Sequence, residues 1–335
     1  MLLLDFSNLA KAAITANLYN IPVTESPEGM SMVRHVALSS IMNYRKKFSK
    51  YGEPLIIADS ATGYWRKDIF PEYKGTRDKN QEDSIIDWKF VSAVTKIVLK
   101  ELKDNFPWAV IQVDKAEADD IIGILSGRAS EPTMIVSGDQ DSIQSHKNPW
   151  VKQWSPIQAY HKNGQGDITA ENTTVALQSL ITKIVKGDSG DGIPNVLSAS
   201  VCLMEGIKQT SVMQNVLDRY IECPSTSMLE GISETLIDEC TVELEELEVL
   251  QEAKATKGRG EKIDGIKKKI DIYTKSIERI KLNRELIDFD YIRPDIIEAV
   301  NLGILNQEII GSPKKAMDYM IAKKLNQLLN RLDEF

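Results

Sequence analysis

Cysteine is scarce in this 335-residue chain: Cys202, Cys223 and Cys240 are odd in number and widely spaced. They suggest neither a disulfide framework nor a zinc site, and a reducing, cytoplasmic compartment suits such usage. Histidine is equally sparse, and His35, His146 and His161 show no pairing that would build a His-based metal site. No stretch approaches the ~18 apolar residues of a membrane span, so no membrane partner is expected. The opening Met-Leu-Leu-Leu gives way at once to Asp5 and has no basic leader, so it does not resemble a secretory signal and none is expected. No glycine- or proline-rich tract interrupts a composition that is 42% apolar and 27% charged, as in a globular protein. The length favours two domains. Positive charge is also in deficit: the net charge is −8, which on its face argues against a nucleic-acid partner.

What the sequence has in plenty is carboxylate, and Asp114-Lys-Ala-Glu-Ala-Asp-Asp120 concentrates it. Four acids lie in seven residues, just before the apolar run Ile121–Leu125. Glu117 and Asp120 are three apart and share a face if the segment is helical, with Asp119 beside them. Acids in a first turn also suit the helix dipole, so capping with a solvated loop and a ligand role stand level for this stretch alone.

The remaining pattern alternates strands and helices. Residues 2–6 read as a buried strand ending at Asp5, and a helix follows from Met30, closed by a basic end and Gly52. Pro54–Ala58 is a second strand delivering Asp59, 86–103 an amphipathic helix, and Trp108–Val113 a third strand feeding the helix 117–127. Thr133–Val136 runs into Ser137-Gly-Asp139-Gln-Asp141, and Val151–Trp154 is a fifth strand. Such alternation predicts an α/β fold, a doubly wound, mainly parallel sheet. Ligands of these sheets sit beyond the carboxyl ends of the strands, where Asp5, Asp59, Asp139, Asp141 and the acids 117, 119 and 120 are expected to converge. Residues 60–85 are an irregular excursion. From about 171 the pattern turns helical, and Lys186-Gly-Asp188-Ser-Gly-Asp191-Gly192 makes a tight turn with two further acids. Residues 235–285 read as a helical hairpin with an acidic, leucine-rich arm and a lysine-rich arm, most simply a solvated appendage. The domains expected are an α/β core over 1–170, with an arch segment near 60–85, and a C-terminal helical domain over 171–335 that carries the hairpin.

Clustered carboxylates repel one another, and burying them without counter-charge is costly. A set without His or Cys suits the hard cations Mg²⁺ or Mn²⁺. Two such ions ~4 Å apart could clamp the attacking and leaving oxygens of a phosphoryl displacement. With the nine acids Asp5, Asp59, Glu117, Asp119, Asp120, Asp139, Asp141, Asp188 and Asp191 set aside, the others nearly balance the 41 lysines and arginines, and a nucleic-acid partner is no longer excluded. Tyr64, Trp65, Arg66, Lys67, Tyr73, Lys74 and Arg77 interleave aromatic faces and cations as a single strand requires, although a solvated amphipathic loop would look the same. Lys74 and Arg77 project together if helical and could stabilise charge on a phosphate.

In order and type, Asp5, Asp59, Tyr73-Lys74-Gly-Thr-Arg77, Glu117-Ala-Asp-Asp120, Asp139-Gln-Asp141 and Gly187-Asp-Ser-Gly-Asp191 resemble the flap endonuclease/5′→3′ exonuclease superfamily. Ser31–His35, Gly63–Arg66, Val151–Pro156 and Leu286–Ile292 resemble its ribonuclease H group from T-even-type bacteriophages. The resemblance covers nearly the whole chain. It implies a PIN/5′-nuclease-like fold and a Mg²⁺-dependent nuclease that removes RNA primers and adjacent DNA from 5′ ends in lagging-strand replication, with flap endonuclease activity. Two Mg²⁺ are implied, with Mn²⁺ as a substitute. Asp5, Asp59, Glu117, Asp119 and Asp139 would hold the first, with Asp120 in reserve; Asp141, Asp188 and Asp191 would serve the second. Tyr73, Lys74 and Arg77 would belong to the arch, with Lys74 and Arg77 on the scissile phosphate, and Lys186 would join the nucleic-acid contacts. Substrates would be RNA–DNA hybrids and DNA with 5′ ends, flaps or nicks, met by a monomer in the host-cell cytoplasm.

The sequence departs from the family at Leu197–Leu203, where regularly placed glycines are missing, so a K⁺ site is left open. The 240–275 segment looks like an insertion, and no N-terminal extension precedes the first strand. The terminal Leu328–Phe335 could dock a sliding clamp or single-strand-binding protein, or be a plain helix end. Two other readings can be weighed. A haloacid-dehalogenase-type phosphatase shares a motif like 187–191 but needs an acid two residues after its nucleophilic aspartate, where Ser7 stands. A non-catalytic DNA-binding protein would tolerate loss of metal acids, and none is lost.

Overall fold

The computed structural model describes residues 1–18, 21–75, 86–162, 164–168, 173–253 and 258–331, the side chain of Ala253 excepted. Residues 76–85 of the expected arch, among them Arg77, together with Lys257 and the last four residues lie outside the described residues.

The first strand, β1 (Leu2–Asp5), is buried along its whole length, and its unbroken apolar run is what a parallel strand covered on both faces requires. It passes without a linker into α1 (Phe6–Leu18), a helix the sequence reading did not anticipate. No acid stands in its first turn; Asp5, the strand's last residue, accepts from Asn8 N at 3.1 Å and so closes the helix start itself. The next helix, α2 (Pro27–Lys47), starts three residues before Met30. Ser26 caps it by accepting from Gly29 N at 2.9 Å, Pro27 opens it, and three basic residues end it. There follow β2 (Pro54–Ala58), the short α3 (Arg66–Ile69), α4 (Trp88–Asn105), β3 (Ala109–Gln112), α5 (Ala118–Gly127), β4 (Thr133–Val136), β5 (Val151–Trp154), α6 (Pro156–His161) and β6 (Asp167–Ile168). The helical remainder is α7 (Thr173–Lys186), α8 (Cys202–Glu205), α9 (Gln214–Ile221), α10 (Leu229–Ala253), α11 (Arg259–Ile287), α12 (Pro294–Leu305), α13 (Pro313–Ala322) and α14 (Asn326–Leu329). None of the described helices is long and apolar enough to cross a membrane.

The sheet runs β3-β2-β1-β4-β5-β6, parallel except for β6, which pairs antiparallel with β5. Alternation along the strands serves two layers. Leu2, Leu4, Ile56 and Val136 join the main apolar core with α1, α2 and α4, while α5 packs on β1 and β2 outside that core. The fold is thus the doubly wound, mostly parallel α/β sheet expected, with a large helical portion. Strand order reverses between β1 and β4, and that switch point is where such sheets bind ligands.

Two compact units divide the chain otherwise than at residue 170. One comprises Met1–Asp68, Asn80–Ala176 and Ile292–Phe335; the other Ile69–Lys79 and Leu177–Tyr291. The C-terminal helices return to the sheet unit because they complete its core. Ala316, Met320, Leu325 and Leu328 are buried there, and Tyr319 donates to Glu101 Oε2 at 2.7 Å, a carboxylate that Arg34 also grips at 2.9 and 3.0 Å. In the second unit α10 and α11 form an antiparallel pair, with Lys262–Glu243 and Lys267–Glu248 ion pairs across it. Such exposed pairs fix register more than they add stability. The base of the pair is better anchored. Arg284 holds Glu230 with a two-pronged grip at 2.6 and 2.7 Å, and the buried Asn283 amide donates to the carbonyls of Ile184 and Pro194 at 2.9 Å each.

Candidate metal centre

Register brings the first acids together. Asp5 is level with Ile57 of β2, so Asp59 stands two residues beyond it, and Val136 is level with Leu4, which puts Asp139 past the adjacent end of β4. Asp5 is buried, accepting from Asn8 N and, at 2.8 Å, from Ser137 Oγ. Asp59 accepts from Ala118 N at 3.0 Å and Ser7 Oγ at 3.1 Å, while Gln112 donates to its backbone carbonyl at 2.7 Å. Asp139 accepts from Asp141 N at 3.0 Å, and the buried Gln153 amide steadies this turn through the carbonyls of Ser137 and Asp139 at 2.9 and 2.7 Å. The sequence motifs assign Ser7, Asn8, Ser137 and Gln153 no role at this rim. Glutamine inside a buried strand was the one available signal, since an apolar residue would be expected there.

Burial and the neighbouring charges of Asp59 and Asp139 push the Asp5 carboxyl up to about 7, against the opposing hydrogen bonds from Asn8 and Ser137. A carboxyl buried beside two like charges is stabilised by a nearby cation, and oxygen donors suit a hard divalent one. The donor set matches the chemistry that Mg²⁺ or Mn²⁺ would require.

The opening of α5 contributes differently. Glu117 is its N-cap, and Asp120 answers it reciprocally by accepting from Glu117 N at 2.8 Å. Both acids are buried and share the Arg66 guanidinium, whereas Asp119 is half-buried. Asp114 is exposed and accepts from Thr62 Oγ1, as a loop residue does.

Trp65, Arg66 and Tyr73 are corrections to the expected nucleic-acid surface: at 1%, 3% and 3% exposure they cannot stack bases or meet a backbone. An aromatic–cation run reads alike in a solvated loop and in a buried ion network, and only the packing separates them. Tyr64 is half-buried and Lys67 exposed.

In the second unit, Asp188 and Asp191 sit on the tight turn after α7. Asp188 pairs with Ile193 through reciprocal backbone bonds of 2.8 Å, and its Oδ1 accepts from Gly190 N at 2.8 Å. Lys183 lies 2.8 Å from the Asp188 carboxylate, and Lys186 is exposed at the end of α7. Tyr73 donates to Asp191 Oδ2 at 2.9 Å. Lys74, in a left-handed conformation at φ 58°, donates its backbone N to the Asp191 carbonyl at 2.7 Å and sets its ammonium 3.8 Å from that carboxylate. The base of the expected arch is therefore stitched to the acid turn. Where the family's glycine pattern breaks, Asn195 Oδ1 accepts from Leu197 N at 3.0 Å and Ser198 Oγ at 2.9 Å. Gly187 has φ 71°, and a Cβ there would sit 2.4 Å from the Ile193 carbonyl oxygen. Gly187→Ala is expected to cost at least the ~1–2 kcal/mol of a left-handed residue, read as a lower urea midpoint. An unchanged midpoint would show that the turn is not held as described.

A parallel sheet that gathers carboxylates at its carboxyl rim is the arrangement expected of hydrolases that work on phosphate esters with a divalent cation. The model of the 5′–3′ exonuclease N-terminal, resolvase-like domain matches residues 1–176. Ribonuclease H of Enterobacteria phage T4 is 31% identical over 345 residues, covering 99% of this chain and 95% of that protein. DNA polymerase I of Lactococcus lactis subsp. lactis is 28% identical over 244 residues, 69% of this chain but only 26% of the polymerase. A crystal structure of a bacteriophage T5 protein with metal ions superposes at a TM-score of 0.50 with 17% identity, over 91% of this chain and 97% of that one, which shows a common fold. The chain belongs to the 5′–3′ exonuclease family, within the flap endonuclease superfamily.

Proposed function

We propose that the chain is a Mg²⁺-dependent 5′→3′ nuclease with ribonuclease H, exonuclease and flap endonuclease activity, removing RNA primers and adjoining DNA from 5′ ends in lagging-strand replication. The observation that carries this reading is the buried Asp5 carboxyl raised by Asp59 and Asp139 at the switch point of the sheet, in a chain of this family. Asp5, Asp59, Glu117, Asp119 and Asp139 would hold one cation, and Asp141, Asp188 and Asp191 a second. Such ions stabilise charge on a phosphate and activate water. Lys74 and Arg77 supply positive charge to the scissile phosphate. Lys67 and Lys186 are exposed cations suited to the sugar-phosphate backbone, and Tyr64 keeps part of its ring accessible. The substrates are RNA–DNA hybrids and DNA with 5′ ends, flaps or nicks. The nuclease would act as a monomer, and docking of a single-strand-binding protein or a sliding clamp is an option this reading leaves open.

A time course on a 5′-flap, a nicked duplex and an RNA-primed duplex tests it. Products released from the 5′ end with Mg²⁺ and none in EDTA are expected. Cleavage that persists in EDTA overturns the reading.

A further inference from the structure

Two of the three buried residues expected as nucleic-acid contacts, Trp65 and Arg66, bond to the opening of α5. Arg66 Nη1 donates to Glu117 Oε2 at 2.8 Å and to Asp120 Oδ2 at 3.0 Å, and Nη2 lies 2.8 Å from Asp120 Oδ1. Trp65 Nε1 donates to Asp120 Oδ2 at 3.0 Å, its ring lying 4.6 Å from the guanidinium carbon. With Glu117 N on the same oxygen, Asp120 Oδ2 accepts three hydrogen bonds, while Oδ1 is held by the ion pair with Nη2 alone, and the residue has no exposed surface. For Asp120 to turn toward a cation, a buried guanidinium would have to give up one of its two counter-charges, at heavy cost.

We propose that Arg66 is a positioning residue of the metal centre: anchored on Asp120, which is not itself a ligand, it fixes the orientation in which Glu117 binds a divalent cation. The inference rests on reading the acid rim as a metal site. A planar five-donor fork spans two carboxylates at once; an ammonium on the same stem offers a point charge and cannot hold both in register. Loss of such an outer contact typically costs 10–100-fold in metal affinity.

Mn²⁺ titration of the full chain without substrate reads this independently of cleavage, with near-UV circular dichroism reporting the fold. Arg66→Lys keeps the charge and loses the fork; its Mn²⁺ affinity is expected to fall about 10–100-fold, with kcat recovered at saturating Mg²⁺. Trp65→Phe, which removes only the indole N–H, is expected to weaken binding in the same direction by less. Asp120→Asn should keep the wild-type number of bound ions and lose less affinity than Asp139→Asn. Unchanged Mn²⁺ affinity in both Arg66→Lys and Trp65→Phe overturns the proposal. So does an Asp120→Asn protein that loses an ion as Asp139→Asn does. A wild-type chain that binds no Mn²⁺ fails earlier, at the metal reading of the rim.

Discussion

Asp139→Asn is expected to lower Mg²⁺-dependent release from a 5′-labelled RNA–DNA duplex by about 10²–10⁴-fold, the several kcal/mol that cation stabilisation of a phosphoryl transition state supplies. The fold should survive. The asparagine oxygen still accepts from Asp141 N, and the Gln153 bonds to this turn go to backbone carbonyls that the substitution leaves in place. Removing this charge also relieves Asp5, which Asp139 helps to push up. Thermal unfolding without metal at pH 8 should therefore be unchanged or slightly raised, and circular dichroism melts check that half. Undiminished cleavage would remove Asp139 from the proposed ligands; a large fall in melting temperature would mean that the turn, and not the metal, was lost.

The second large effect concerns Asp5 and pH. Its carboxyl titrates near 7 in the folded chain and near 3.8 when unfolded, so the folded state holds the proton more tightly. The stability tied to this group is complete below the unfolded value and is lost as pH rises through about 7. Above that the metal-free protein carries a penalty of the order of a few kcal/mol. Asp5→Asn cannot ionise and escapes it. In EDTA the variant should gain stability over wild type progressively between pH 4 and 7, with no further gain above, read from urea melts at pH 5 and pH 8. A gap that does not change with pH would show that Asp5 is ordinary. Mg²⁺ should raise the wild-type melting temperature at pH 8 by offsetting the repulsion and do so less in the variant.

Much of the candidate first site was legible because its acids are local to strand ends. Short apolar runs closed by Asp5 and Asp59, and one that ends at Val136 just before Ser137-Gly-Asp139, announce both the strand and what it delivers. The short loop between β3 and α5 keeps Glu117, Asp119 and Asp120 beside the third strand. Helix α1 was hidden because its cap is the last residue of the preceding strand, leaving no polar boundary to read. The arch was misread for a different reason. Tyr64-Trp-Arg-Lys67 has no period to say which side faces inward, so burial of two of the four residues could not be seen.

The sequence by itself determined the class of fold, through alternating strand and helix periods, and the donor type of the candidate site, carboxylates at strand ends with no His or Cys, which is the set that suits a hard cation. Tertiary structure alone decided which acids do what. Asp5, Asp59 and Asp139 are neighbours because parallel register places their strand ends side by side. Asp120 is withdrawn from that group because a buried guanidinium, 51 to 54 residues away from its partners along the chain, has claimed it. Burial sets how strongly a charge needs a partner, and burial is a property of the packed chain.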